Sequence, residues 1–213
     1  MDQRFLVETL EQRPELFRAM LEFNRTLAPL TPEAGNPPVW KALCADAAFS
    51  EALRRRMPSA PGFWDFEEES ARLALLPEVL LHTLGLYFSA AVHAEAISAV
   101  VLRPQVLALR DILEKDVYSY ALRRGRYQIG SLRTQLLDLA QGESLPERIL
   151  SLAAISLSLV AADWPARLPS LCPAVRETPL SAPVPREQRR AVWFTMKKIL
   201  LREVAPQWAP CFN

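Results

Sequence analysis

Glycine, histidine and paired cysteine are scarce in this chain, and each scarcity argues against a class of chemistry. The 213 residues include six glycines and two histidines. Glycine-rich phosphate loops, nucleophile elbows and zinc-binding HExxH helices are absent from the sequence. The three cysteines, Cys44, Cys172 and Cys211, are widely spaced and form neither a CxxC pair nor a disulfide framework. We therefore expect a protein of the reducing cytoplasm that is not an enzyme and binds neither a metal nor a cofactor.

An excess of one charge and a long apolar run are missing as well. The chain has 25 basic and 24 acidic residues, whereas dedicated nucleic-acid binders usually carry a strongly basic surface. Two uncharged stretches, 79–94 and 149–162, are shorter than the roughly 20 apolar residues that span a bilayer. The sequence thus predicts no nucleic-acid partner and no insertion into a membrane. The two stretches are interpreted as buried core helices.

Helical periodicity dominates what is present, and no segment alternates between polar and apolar residues as a half-buried strand would. This pattern predicts an all-α protein, one compact multi-helix domain over 1–213 with a central buried helix and a docked C-terminal helix. Ser144 and Glu147 form the pattern of a capping box ahead of 149–162. A proline-rich segment at 163–185 is predicted to be a surface linker within the domain. Helices are predicted at about 14–27, 39–44, 47–56, 77–102, 104–124, 149–162 and 186–204.

The predicted central helix carries one polar stripe on an apolar cylinder. The stripe consists of Glu78, His82, Ser89 and His93, and Gly85 lies beside it, where a neighbouring backbone could come close. The histidines are about 16 Å apart along a helix, too far to share a metal ion. Each histidine is either hydrogen-bonded at a contact between helices or part of a polar surface that faces a partner.

The predicted helix 104–124 has a regular apolar face and a clear end. Val106, Leu109, Leu113, Val117 and Tyr120 form the face, and Arg110–Glu114 and Asp111–Lys115 are spaced as i,i+4 ion pairs. Arg123 and Arg124 stand where the helix dipole favours cations. Gly125 is predicted to end the helix in the left-handed conformation.

An acidic run follows two aromatic residues near the middle of the chain. Trp64 and Phe66 precede Glu67, Glu68 and Glu69. Acidic residues favour the first turn of a helix, so the run is interpreted first as a solvated helix start. The alternative is an aromatic anchor with a charged rim, the composition of an interface hot spot. The candidate partner-binding residues are Trp64, Phe66, Glu67, Glu68, His82 and His93.

Five groups of residues in the central segment form a pattern that is apolar and fold-defining and carries no catalytic residue. They are Arg72-Leu-Ala-Leu-Leu-Pro77, Leu84-Gly-Leu86, Ala90-Ala-Val-His93-Ala, Arg103 with 106–110, and Tyr118-Ser-Tyr-Ala-Leu-Arg-Arg124. In these residues the segment resembles the SctK family (YscK/PscK type), the sorting-platform adaptors of bacterial type III secretion machines. The chain departs from the family pattern at Ser89, where a glycine often precedes the alanine.

The resemblance implies a non-enzymatic cytoplasmic adaptor at the inner face of the inner membrane. Such an adaptor links the cytoplasmic domain of the ring protein SctD to the pod protein SctQ, and through SctQ to the stalk protein SctL and the export ATPase SctN. The family offers no residue list for these contacts that transfers to this chain. The alternative function is a helical chaperone-like or regulatory module that binds a secreted client.

Overall fold

Helices connected by short turns make up the described part of the chain. The computed structural model describes residues 3–27, 62–176, 178 and 183–212, and this part contains no strand. The all-α prediction is confirmed. Contacts cluster into two compact units, 1–65 and 66–213, and the prediction of one domain over 1–213 stays a prediction. The predicted helices at 39–44 and 47–56, like Cys44, lie outside the described residues.

The described part of the first unit contains two consecutive helices, of which the sequence predicts only the second. These are α1, Gln3–Gln12, and α2, Pro14–Leu27, with Leu16 and Met20 buried on α2. Proline suits the start of α2 because the first helical N–H needs no partner. The Asn24 side chain donates to the carbonyl of Phe63 at 2.7 Å and accepts from the N–H of Phe63 at 2.6 Å. Asn24 therefore fixes the 62–65 segment of this unit.

The second unit is built around α3, Glu78–Val92, in which every residue from 84 to 92 is buried. The helices Arg103–Arg123 and Leu145–Ala161 pack on α3, and the helix Arg186–Ile199 packs on both α3 and Leu145–Ala161. Short 3₁₀ helices at Glu69–Leu75, Gly125–Tyr127, Gly130–Leu132 and Pro206–Cys211 complete the unit. The remaining α-helices are α4 Ala94–Ala99, α5 Arg103–Arg123, α6 Arg133–Leu137, α7 Leu145–Ala161, α8 Leu168–Leu171, α9 Pro173–Arg176 and α10 Arg186–Ile199.

The contact between α3 and α7 is close because Gly85 has no side chain. A Cβ atom on Gly85 would lie 2.7 Å from the carbonyl oxygen of Ala153 and 3.3 Å from Oγ of Ser156. The expected approach of a backbone at Gly85 is confirmed. One turn later, the hydroxyl of Ser89 donates to the carbonyl of Ile149 at 2.7 Å. A serine at this position thus adds a hydrogen bond between the two helices that a glycine could not make.

The predicted single helix over 77–102 is wrong at His93. This residue has φ −88° and ψ 8°, and a separate short helix, α4, follows it. The carbonyl of Ser89 lies 3.0 Å from the backbone nitrogen of His93 and 2.9 Å from its Nδ1. The side chain therefore shares a backbone acceptor with its own main chain, a local competition that favours an irregular turn.

The apolar face predicted for α5 is confirmed, but two details of this helix are not. Leu109, Leu113, Val117 and Tyr120 are buried and Val106 is half-buried. The helix is interrupted at Glu114, with φ 56° and ψ 169°. Neither of the expected i,i+4 ion pairs forms in this described segment.

Gly125 is not a left-handed helix stop. The positive-φ glycines among the described residues are Gly130 and Gly142, and Gly125 is not one of them. It is buried at the start of a 3₁₀ turn, and a Cβ there would lie 3.1 Å from Cα of Ala91. Gly125 is small because the α3 backbone passes close to it. A tertiary contact, and not the end of a helix, therefore explains the glycine at this position.

Glu114 provides a test of the interruption in α5. Residues other than glycine rarely adopt φ 56° with ψ 169°, at a cost of roughly 1–3 kcal/mol. Glu114→Gly is therefore expected to be more stable than Glu114→Ala, by about 1 kcal/mol in chemical denaturation. In an uninterrupted helix the order would reverse, since glycine costs about 1 kcal/mol relative to alanine there.

The later helices agree well with the sequence. Ser144 and Glu147 form the predicted capping box, with Oγ of Ser144 accepting from the N–H of Glu147 at 3.3 Å. The predicted apolar face of α10, formed by Val192, Met196, Ile199 and Leu200, is buried, and a π-helical turn, Leu200–Val204, follows α10. The segment predicted as a surface linker is partly folded into the unit, because α8 and α9 lie within it and bury Leu168, Cys172 and Val175.

Candidate protein-binding surface

The polar stripe predicted along the central helix divides into an exposed half and a buried half. Glu78 and His82 are exposed, whereas Ser89 and His93 are buried. His93 is 1% exposed, and its Nδ1 is hydrogen-bonded to the carbonyl of Ser89, one turn earlier in the chain. The partner-binding role considered for His93 is therefore corrected, since its ring has no surface through which to reach a partner. His82 remains a surface candidate.

The environment of the buried His93 ring disfavours its protonated form. Burial lowers its pKa from the ordinary value, and the positive charge of Arg148 lowers it further, against a hydrogen bond to Ser89 that raises it. The contact of Nδ1 with a carbonyl requires the proton on that nitrogen, which leaves Nε2 as an acceptor. Nε2 is buried and has no hydrogen-bond partner in the described part of the chain.

This arrangement predicts a loss of stability at mildly acidic pH. Below the unfolded pKa of about 6.5, the unfolded chain binds a proton that folded His93 does not, so stability falls as pH falls towards the lower folded pKa. The slope contributed by His93 has a limit of about 1.4 kcal/mol per pH unit. His93→Asn, which keeps a donor near Ser89, is expected to flatten the pH dependence of the free energy of unfolding below about pH 6.5. A parent profile that is already flat would contradict the prediction.

The aromatic residues of the predicted hot spot have different environments. Trp64, in the first unit, is half-buried and its ring stacks on Phe17 with centroids 6.4 Å apart. Phe66, in the second unit, is fully buried and is therefore not an exposed anchor, contrary to the prediction. Glu67 and Glu68 are exposed just before the 3₁₀ helix Glu69–Leu75. That position agrees with the first interpretation of the acidic run, a helix start.

The acidic run also borders a cleft in the second unit, here called the charged cleft. It has a volume of about 300 Å³ and lies between residues 68–70, the end of α7 and the first turns of α10. Residues of α10 separated by three, four and seven positions share one helix face, which places arginines and aromatic rings on the same wall. The charged cleft is lined by Glu68, Glu69, Ser70, Val160, Asp163, Arg186, Arg189, Arg190, Trp193 and Phe194.

Two ion pairs bridge the structural elements around the charged cleft. Arg189 contacts both carboxylate oxygens of Asp163, Nη2 to Oδ1 at 2.5 Å and Nε to Oδ2 at 3.0 Å. Lys197 pairs with Glu69. Hydrogen bonds from Arg189 hold the pKa of Asp163 below its ordinary range, and the charges of Arg186 and Arg190 act in the same direction. The paired residues are partly buried and serve to hold the walls together.

Two arginines of the charged cleft are not used in these ion pairs. Arg186 and Arg190 are exposed, and neither forms an ion pair within the described residues. Phe194 is 57% exposed beside them, and Trp193 is 6% exposed, with its ring centroid 6.0 Å from that of Phe212. An exposed aromatic ring beside unpaired arginines has the composition of an interface hot spot.

The sequence predicts a binding residue on the 68–70 side of the charged cleft but none on the α10 side. Glu68 is among the residues predicted from the sequence, whereas Arg189, Arg190 and Phe194 are not. The helical spacing of Arg186, Arg190 and Phe194 was readable from the sequence. Their position opposite Glu68 was not, because it depends on how the second unit folds.

Other kinds of site find little support. No group of three or more His, Cys, Asp or Glu side chains in the described ranges could hold a metal ion. Within the same ranges every helix is too short or too polar to cross a bilayer. Comparisons with protein-family models, curated proteins and solved structures found no match for this chain.

Proposed function

We propose that this protein is a non-enzymatic adaptor of a bacterial type III secretion sorting platform. In this role it links the cytoplasmic domain of SctD to SctQ at the inner face of the inner membrane. Through SctQ it is coupled to SctL and SctN. The proposal rests on the resemblance of the segment 72–124 to the SctK family.

One structural observation supports an adaptor over an enzyme. The residues that carry the resemblance build the centre of the second unit, because 84–94 are all buried and α5 packs against α3. The charged cleft lies outside that segment, on 68–70 and 186–194. The residues that resemble the family thus lie in the core, and the charged and aromatic surface residues lie outside the resembling segment. This arrangement is typical of a protein that binds other proteins.

Copurification tests the proposal directly. The full chain, the cytoplasmic domain of SctD and SctQ are expressed together, and each pairwise complex is isolated through a tag on the partner. We expect both partners to retain the chain, alone and together. Binding to neither at micromolar concentration would contradict the adaptor function.

Deletion of the gene separates an adaptor from the chaperone-like alternative. Loss of an adaptor should prevent the pods from assembling and abolish secretion of every substrate. Loss of a client-specific chaperone should reduce one substrate and leave the pods in place. Fluorescently tagged SctQ reports pod assembly, and culture supernatants report secretion.

A further inference from the structure

We propose that the charged cleft is the docking site for an acidic segment of a partner protein. The segment would place a carboxylate between Arg186 and Arg190 and an apolar side chain against Phe194. This proposal rests on the adaptor function and deepens it, because it assigns a surface and a recognition chemistry to one of the partner contacts.

The charges of the cleft select the occupant. Asp163 and Glu69 are already paired with Arg189 and Lys197. The charged groups on the lining that have no ion-pair partner within the described part of the chain are therefore Arg186 and Arg190 on α10 and Glu68 on 68–70. Arginine guanidinium groups recognise carboxylates through charge-assisted hydrogen bonds. The α10 wall therefore favours an anion, and Glu68 disfavours a long polyanion across the whole cleft. A single acidic side chain fits this pattern better than a nucleic acid.

The remaining lining favours a peptide segment over a free anion. Ser70 is 3% exposed, yet its hydroxyl has no hydrogen-bond partner among the described residues. Buried hydroxyl groups normally have a hydrogen-bond partner, so a ligand that donates to or accepts from the hydroxyl of Ser70 would supply the missing partner. Phe194 and Trp193 add aromatic surface beside the arginines. The volume of about 300 Å³ is at the lower end for ligand sites, enough for a few side chains.

A matched pair of peptides tests the carboxylate. One short fluorescent peptide carries a glutamate beside a phenylalanine, and its twin carries a glutamine in place of the glutamate. By fluorescence anisotropy the parent chain should bind the acidic peptide about tenfold more tightly, as two exposed ion pairs of up to about 1 kcal/mol each allow. Raising the salt concentration should reduce the preference, because exposed charges are screened. Equal affinity for the twins, including no affinity for either, overturns the proposal.

Charge-reversal variants assign the preference to the cleft. Arg186→Glu/Arg190→Glu should abolish it, whereas Lys198→Glu/Arg202→Glu makes the same change in net charge at exposed residues outside the lining and should preserve it. Circular dichroism verifies that both proteins fold. A preference that survives in the first variant places recognition elsewhere and overturns the proposal.

Two further controls test the apolar contact and the class of ligand. Phe194→Ser should weaken binding of the acidic peptide severalfold, whereas Tyr127→Ser, at another exposed aromatic residue, should not. A single-stranded oligonucleotide should compete poorly. Competition at the same concentration as the peptide would mean that the cleft binds polyanions in general, contrary to the proposal.

Copurification distinguishes failure of the cleft proposal from failure of the adaptor function. If parent and Arg186→Glu/Arg190→Glu retain SctD and SctQ equally, the adaptor stands and the cleft proposal fails. If the parent retains neither partner, the adaptor function fails, and the peptide measurements alone decide the recognition chemistry. Loss of one partner by the cleft variant, with the other retained, is the expected outcome.

Discussion

Gly85→Val is expected to destabilise the second unit by about 3 kcal/mol or more, because an added side chain has no room there. Even a Cβ would lie 2.7 Å from the carbonyl oxygen of Ala153, and that atom belongs to the backbone of α7. A flexible side chain could rotate away from such a clash, whereas a helix must move as a whole. Chemical denaturation followed by circular dichroism measures the loss.

His82→Val is the matched control for this change. It introduces the same β-branched residue into the same helix at an exposed position, so its cost is limited to helix propensity, under about 1 kcal/mol. Gly85→Ala should fall between the two variants. If Gly85→Val is as stable as His82→Val, the close approach of α3 and α7 is absent.

Arg72→Met is the second substitution expected to have a large effect, again about 3 kcal/mol, through loss of buried hydrogen bonds. Arg72 is 5% exposed and, within the described ranges, donates to the backbone carbonyls of Phe66 at 3.1 Å, Cys211 at 3.0 Å and Glu67 at 3.5 Å. Methionine fills the volume of the stem but leaves the carbonyls without this donor. The free energy of unfolding, extrapolated from urea or guanidinium titrations, is the measurement.

Two comparisons isolate the hydrogen bonds of Arg72 from its charge and bulk. Arg72→Lys keeps a cation but not the guanidinium fork, so we expect it to recover only part of the stability. Arg123→Met removes an exposed arginine at the end of α5 and should change stability by less than about 0.5 kcal/mol. Equal stability of Arg72→Met and Arg123→Met would contradict the role of the buried guanidinium.

The sequence predicted the helices of the second unit best where burial and local chemistry agree. The uncharged run around Leu84 and Phe88 identified the central helix, and Gly85 identified its closest contact, because a glycine on a buried helix needs a packing reason. The capping box at Ser144 was equally readable, since all its hydrogen bonds are local. These features depend on residues a few positions apart.

Features that depend on tertiary contacts were predicted poorly. The Arg-Arg-Gly pattern at Gly125 follows the rule for a helix stop, but the small residue is required by the backbone at Ala91. The break at His93 arises from a side chain that competes for a backbone carbonyl, which helical periodicity does not reveal. The charged cleft needs 68–70 beside α10, and its aromatic and basic residues looked unrelated in the linear chain.

The hydrogen bond from Arg72 to Cys211 has a consequence for the order of events during synthesis. Its two residues are 139 positions apart, so the ribosome must add nearly all of the second unit after Arg72 before the bond can form. The arginines and Phe194 of the charged cleft also emerge late. During synthesis the α3 region is therefore complete while the charged cleft still lacks its α10 wall. A partner that binds the charged cleft can be recruited only after α10 has been translated.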